Sequence, residues 1–354
     1  MHRNLSALRF PLLRSRQKPR FLPAETKLVS DKRAGARLVD RRSTRRVPSR
    51  EGQAQKAPQA TFSNEIGPPE NDTMLLMIEA LTKSYPSRDG QSPALAEINF
   101  GIEEGEFVSL VGPSGCGKST ILALAAGLIP PSTGRITLDG SIVKKAGADR
   151  GMVFQQANLF PWLTVIENVT FGLTLKANRV PRNDARGIFL PAQADSLLEA
   201  VGLAAFRDHY PRQLSGGMRQ RAALVRALVT KPRILLMDEP FGALDAQTRE
   251  EMQELLMHLC QRQGTTVLFV THDVEEALIL SDRVLVMQAH PGTIIAEVPV
   301  SLERPRNLDM RADPIFVELR ARMFDLLHHR VRKAISQMVV NDGTAEAENR
   351  LRQA

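Results

Sequence analysis

Apolar positions along this chain fall into short unbroken runs separated by longer stretches of helical spacing. Leu75-Leu76-Met77-Ile78 and Ile98-Asn99-Phe100-Gly101-Ile102 predict two strands joined by a polar loop marked with Pro and Gly. Phe107-Val108-Ser109-Leu110-Val111 predicts a central strand, because a run with almost no polar break suits a strand covered on both faces. Ile121 to Leu128 predicts a buried helix, and Arg135 to Gly140 a strand ending in a turn. Residues 165–225 carry helical spacing with breaks expected near Pro181, Pro191 and Pro211. A buried strand over Arg233–Asp238, a helix over 246–262, a strand over Thr266–Val270 and a helix over Val274–Leu280 follow. Val284–Met287 and Ile294–Val298 predict two strands that close the sheet. Strands alternating with helices imply an α/β fold with parallel pairings. Helical spacing returns over Asp313–Met338 and the chain turns polar after Asn341.

Charge changes this picture at one end. The formal net charge is +8, a value that by itself suggests nucleic acid. Yet the first 50 residues hold 15 Lys and Arg against 3 Asp and Glu, and the rest of the chain is slightly acidic. Residues 1–72 are rich in Arg, Pro, Ser and Gln and have no sustained apolar periodicity, so they are expected to be a disordered basic extension. Three roles compete for it: a solvated tail, including upstream sequence translated ahead of Met74 or Met77; an Arg-rich targeting segment; or a polybasic arm for anionic lipid. The first is preferred, because a charge run is usually solvated. The resulting division is an extension over 1–72, a domain over 73–300 with an inserted helical subdomain over about 156–226, and a helical tail over 301–354 that ends disordered. Two cysteines, Cys116 and Cys260, argue against a disulfide framework. No run of about 18 apolar residues exists to form a spanning helix.

The chemistry centres on Gly112-Pro113-Ser114-Gly115-Cys116-Gly117-Lys118-Ser119-Thr120, which fits G-x-x-x-x-G-K-[ST] between a predicted strand and a predicted helix. Glycines there let backbone N–H groups wrap a polyphosphate, and the helix N-terminus adds partial positive charge. Lys118 can reach the β- and γ-phosphates and the Ser119 hydroxyl can ligate Mg²⁺. Cys116, beside Lys118 and near a helix start, has conditions that favour its thiolate and so reaction with thiol reagents; an inert space-filling role is the alternative. Asp238 ends an apolar strand and Glu239 follows it. In-line attack on a γ-phosphate needs one acid for the metal and one for the attacking water. Leu214-Ser215-Gly216-Gly217-Met218 opens a helix, either as a second anion loop or as a serine N-cap with flexible glycines. One ATP does not need two such loops, so the second is expected to serve a nucleotide held by another subunit.

From about Met77 to about Val300 the chain resembles the ATP-binding subunits of ABC transporters. The phosphate loop and the signature Leu214–Met218 carry the resemblance, and Ile234-Leu235-Leu236-Met237-Asp238-Glu239-Pro240 looks like the Walker B strand of that family. The resemblance implies a phosphate-loop NTPase core with an antiparallel β edge and an inserted α-helical subdomain. It makes Glu239 the general base and His272 the switch histidine that senses the γ-phosphate. Ser119, Gln155 and Asp238 become the Mg²⁺ contacts, and Tyr85 the aromatic that stacks on adenine. Asp245, in Gly242-Ala243-Leu244-Asp245, falls near a dimer interface, and Ser215, Gly216, Gly217 and Met218 act in trans. Two copies, or one copy and a homologous ATPase subunit, are then expected to sandwich ATP and drive a separate integral membrane permease from the cytoplasmic face of the inner membrane.

Ala289-His290-Pro291-Gly292-Thr293-Ile294, Leu302-Glu303-Arg304-Pro305-Arg306 and Arg311-Ala312-Asp313-Pro314 look like the nitrate, sulfonate and taurine importer subgroup, whose members draw small anions from a solute-binding protein. The sole tryptophan, Trp162, is either an interface residue or a core residue of the helical subdomain. The rival reading is a soluble ABC ATPase acting on ribosomes or DNA. It is disfavoured by a single phosphate loop, the absence of coiled-coil or zinc motifs, and a basic balance confined to the extension; no nucleic-acid partner is expected. An exporter with fused membrane helices fails for lack of a spanning segment.

Overall fold

The computed structural model describes residues 74–87, 90–175 and 186–328. The expected disordered extension, the break at Pro181 and the polar end of the tail lie outside the described residues. β1 (Met74–Ser87) and β2 (Gly90–Glu103) form an antiparallel hairpin. The expected polar loop between Ile78 and Ile98 is therefore strand almost throughout. Register shifts between Ile78 and Leu81, Leu81 and Lys83, and Lys83 and Ser84 break the period of two while keeping Leu81 and Leu95 buried. β4 (Thr133–Leu138) and β5 (Ser141–Ile142) extend this sheet in the order β2-β1-β4-β5.

The second sheet contains β3 (Phe107–Val111), β6 (Arg150–Val153), β7 (Ile234–Asp238), β8 (Thr266–Thr271), β9 (Arg283–Gln288) and β10 (Thr293–Pro299). Its order is β10-β9-β3-β8-β7-β6; every pairing is parallel except that of the edge strand β10 on β9. Alternate residues of the central strands enter two different cores. Val108 and Leu110 of β3, Leu236 of β7 and Leu268 and Val270 of β8 pack with the antiparallel sheet and with α1 (Lys118–Ala125). Phe107, Val111, Met237 and Phe269 pack on the opposite side with α5 (Ala246–Gln263) and α6 (Val274–Leu280). Burial on both faces explains why these strands read as continuous apolar runs.

Helix α1 is shorter than expected. It ends at Ala125, where Gly127 and Leu128 donate their N–H groups back to Leu124 and Ala123, and Leu128 is left exposed. The central helical stretch comprises α2 (Val165–Thr174), α3 (Arg186–Ala200) and α4 (Gly216–Leu228). α3 runs through Pro191, where a break was expected. A proline in the second turn removes one ladder bond, and the burial of Ala194, Leu197 and Leu198 farther along holds the helix. A short turn of 3₁₀ helix at Pro211–Gln213 precedes α4, as the sequence suggests.

The segment after β10 packs on the main core. Val300, Leu302 and, on a helix over 314–328, Phe316, Leu319 and Met323 are buried against it. Arg311 and Arg320 of this segment pair with Glu275 on α6, and Arg311 also reaches Glu250 on α5. Phe324, on the same helix, is 45% exposed, whereas Phe316 is fully buried. Phe316→Ala is expected to cost about 3–5 kcal/mol of unfolding free energy by urea titration. Phe324→Ala should stay within about 0.5 kcal/mol of the parent.

Candidate active site

The parallel register brings four chain segments to one edge of the sheet. Val111 lies opposite Thr271, Asp238 opposite Val270 and Val153 opposite Met237, so β3, β8, β7 and β6 end side by side. Beyond those ends come the phosphate loop, His272, Glu239 and Gln155. Carboxyl ends of parallel strands are where open α/β sheets bind ligands.

After Val111 the chain turns through Pro113 and Ser114, which are exposed, and enters α1 at Lys118. Gly117 caps this helix with φ 96°, and a Cβ there would collide with the side chain of Leu95 on β2. Lys118 curls back over the loop. Its ammonium donates to the carbonyls of Gly112 at 2.8 Å and Pro113 at 3.1 Å. Ser119 and Thr120 follow in the first turn, and the Ser119 hydroxyl donates to Asp238 Oδ1 at 2.9 Å. Burial pushes the Asp238 carboxyl above the ordinary aspartate range, with the Ser119 bond pulling the other way. Cys116, within the loop, is fully buried, and burial raises its pKa despite Lys118 nearby. Of the two readings of Cys116, this burial favours the inert, space-filling one: desolvation outweighs the lysine charge.

Glu239 has φ 42°, in the left-handed region, at a cost of about 1–2 kcal/mol for a residue with a Cβ. Its N–H donates to Val270 O at 2.9 Å, and its Oε2 lies 3.0 Å from His272 Nδ1. Gln155 joins them. A Cβ placed on Gly242 would lie 3.4 Å from Gln155 Nε2 and 3.9 Å from Glu239 Oε2, so the amide and the carboxylate flank the same glycine. The structure therefore brings together Lys118, Ser119, Asp238, Glu239, His272 and Gln155.

Ser215, Gly216, Gly217 and Met218 lie elsewhere on the chain's bonding map. Ser215 is the N-cap of α4 and accepts from Met218 N at 3.2 Å; among the described residues its hydroxyl makes no bond to the phosphate loop. The first residue of α4, Gly216, has open space where a Cβ would stand. Gly217 is closed in, because a Cβ there would strike the methyl group of Thr248 on α5. Asp245 caps α5, its Oδ1 accepting from that same Thr248 at 3.0 Å, and this backbone bond holds the carboxyl below the usual range. Tyr85, 42% exposed on β1, carries the Lys83 ammonium 5.1 Å from its ring centre.

Sequence reasoning missed the braces behind Gln155. Gln220 and Arg226, both on α4, donate to the carbonyls of Phe154 (3.1 Å), Asn158 (2.8 Å) and Ala157 (3.0 Å). Asn168, fully buried on α2, donates to the carbonyls of Phe160, Leu163 and Thr164 and accepts from Phe160 N. Its position inside the apolar run Val165-Ile166-Glu167-Asn168-Val169 was the available signal. Trp162 is 69% exposed, with its ring 5.5 Å from that of Phe160, so the core reading of this residue is set aside.

Residues 95–242 match the family described as ABC transporter. The chain is similar to the nitrate import ATP-binding protein of Synechocystis, 46% identical over 264 residues that cover 73% of this chain and 96% of that one. It is similar also to the taurine import ATP-binding protein of Rhizobium johnstonii, 44% identical over 260 residues, 72% of this chain and 97% of that one. Among solved structures it resembles a dimeric ATP-binding cassette in a post-hydrolysis state bound to ADP and Pi. The TM-score is 0.56 at 36% identity, covering 64% of this chain and all of the other.

The tight approach of α4 to α5 is open to direct measurement. Gly217→Ala should lower unfolding free energy by about 1–3 kcal/mol through overpacking. Adding Thr248→Ser, which removes the opposing methyl, should return more than half of that loss in the same urea titration.

Proposed function

This chain belongs to the ABC transporter ATP-binding family, and we propose that it is the ATP-hydrolysing subunit of an importer for a small anion such as nitrate, an alkanesulfonate or taurine. The reading of the solute rests on relatives whose names carry nitrate and taurine import. The reading of the chemistry rests above all on one observation, the 3.0 Å contact between Glu239 and His272 beside a phosphate loop whose serine touches Asp238.

In this mechanism the phosphate loop binds the nucleotide's phosphates, and Lys118 exchanges its loop carbonyls for phosphate oxygens. Glu239 accepts the proton of the attacking water at its carboxylate, and His272 holds the water and the γ-phosphate in line. Tyr85 stacks on the base. A cation fits the other side chains: the Ser119 hydroxyl, the Asp238 carboxylate and the Gln155 amide oxygen form an all-oxygen donor set, and a buried carboxylate next to a second acid gains from a positive charge. Bound Mg²⁺ would neutralise charge on the β- and γ-phosphates.

Ser215, Gly216, Gly217 and Met218 complete the site of a second copy across a head-to-tail dimer, with Asp245 at the interface. The dimeric cassette among the similar structures supports pairing. Because Ser215 already caps α4, its hydroxyl is oriented at the helix N-terminus, where backbone N–H groups and the helix dipole favour phosphate. Among the described residues no helix is long and apolar enough to cross a membrane. We assign the spanning path to a separate permease, and place this subunit on the cytoplasmic face beneath it, with a solute-binding protein acting on the far side. The exposed Trp162, on the loop braced by Asn168 just beyond Gln155, is the contact we assign to that permease.

Glu239→Gln with Mg-ATP should give a stable dimer by light scattering and retain unhydrolysed nucleotide, with turnover down by at least about 100-fold. A monomer that neither traps nucleotide nor pairs would overturn the mechanism. Trp162→Ala in the reconstituted transporter should lower transport-coupled ATPase by about 10-fold while leaving ATP affinity within about twofold. Equal loss of both would remove Trp162 from the interface.

A further inference from the structure

A buried polar cluster lies directly behind His272. Glu276 on α6 is only 6% exposed and bonds to nothing in the phosphate-binding loop. Its Oε2 accepts from the Thr271 hydroxyl at 2.6 Å, and its Oε1 accepts from Gln253 Nε2 at 3.1 Å. Thr271 is the last residue of β8 and immediately precedes His272. Its Oγ1 also accepts from Asp273 N at 3.0 Å, so the residues on both sides of the histidine are tied to one hydroxyl. Asp273 is held in turn, its Oδ1 accepting from the N–H groups of Glu275 and Glu276. On the other side, Gln253 lies on α5, the helix capped by Asp245. Arg249, one turn earlier, donates to Leu244 O at 3.0 Å, next to Asp245, and its charge acts favourably on the Glu276 carboxylate. Burial pushes the Glu276 carboxyl above the ordinary glutamate range, so keeping an acid here costs stability that an apolar residue would not.

We infer that Glu276 is a positioning residue for ATP hydrolysis: through Thr271 it fixes the backbone that carries His272, and through Gln253 it ties that backbone to α5 and the Asp245 loop. The inference rests on the role proposed above for His272. Glu276 touches neither nucleotide nor water; it acts by holding the imidazole 3.0 Å from Glu239. Because Asp245 is the residue assigned to the dimer interface, the cluster is also a physical route by which pairing of two copies reaches the hydrolytic histidine.

The test uses steady-state ATPase of the full chain. Glu276→Leu and Thr271→Val should each lower kcat by about 10-fold or more with KM for ATP within about twofold. Glu276→Gln should keep at least about half of kcat. Its carbonyl can still accept from Thr271, and its amide can donate to Gln253 Oε1, a buried acceptor with no partner among the described residues. In a His272→Ala background neither Glu276→Leu nor Thr271→Val should reduce the residual rate further by more than about twofold, because a residue acting only through the histidine has nothing left to position. A role in stability alone would lower the rate again in that background, and this result overturns the proposal. So does full kcat in Thr271→Val, a shape-preserving change that carries the test even where Glu276→Leu does not fold. If His272→Ala itself keeps full kcat, the role proposed for the histidine is wrong and the inference falls with it. Loss in His272→Ala but not in Thr271→Val removes the inference alone.

Discussion

Parallel hydrogen bonding between β3, β8 and β7 is the constraint on which the rest depends. In that register Val111, Thr271 and Asp238 finish at one edge, and residues up to 160 positions apart come within bonding distance. The strands can be parallel only because both faces of the sheet are covered, one by α1 and the antiparallel sheet, the other by α5 and α6. Apolar burial on two faces therefore comes first, and the polar edge is its by-product: the carboxyl ends are where the chain must leave the core. The left-handed backbone of Glu239 is tolerable for the same reason, since its N–H is held by Val270 on the neighbouring strand.

Helices α4 and α5 carry out a second task. Both begin with a side-chain cap, Ser215 and Asp245, and their first turns meet where Gly217 faces Thr248. Farther along, α4 grips carbonyls on both sides of Gln155 and α5 reaches the cluster behind His272. The residues assigned to a neighbouring copy are thus anchored on the same two helices that support the residues assigned to this copy's nucleotide. Close packing lets such helices shift as rigid pieces.

The helix over 314–328 shows a different use of packing. Its Phe316, Leu319 and Met323 complete the core on the side of α5 and α6, and its own Arg320 and the preceding Arg311 converge on Glu275. The boundary near Val300, where the family resemblance ends, therefore does not coincide with a boundary of the core. A resemblance records where shared motifs end, whereas a core is bounded by which side chains are excluded from water, and a short amphipathic helix can belong to it from a distance in sequence.

What the sequence determined by itself was the order of elements and the two motifs to which we assign the handling of phosphate. Both rest on local spacing: a strand followed by a glycine-rich loop and Lys118, and an apolar strand ending in Asp238 and Glu239, keep their chemistry within a few residues. Bulges defeated the local reading of the hairpin around Leu81, because a shift of one residue erases the alternation that marks a strand. Tertiary structure alone decided which groups meet. It set Glu239 against His272, desolvated Cys116 beyond what Lys118 could offset, exposed Trp162 and hid Glu276, Asn168 and Gln220 where hydrogen bonds replace water. Distance and burial arise from long-range packing, and no window of neighbouring residues contains them.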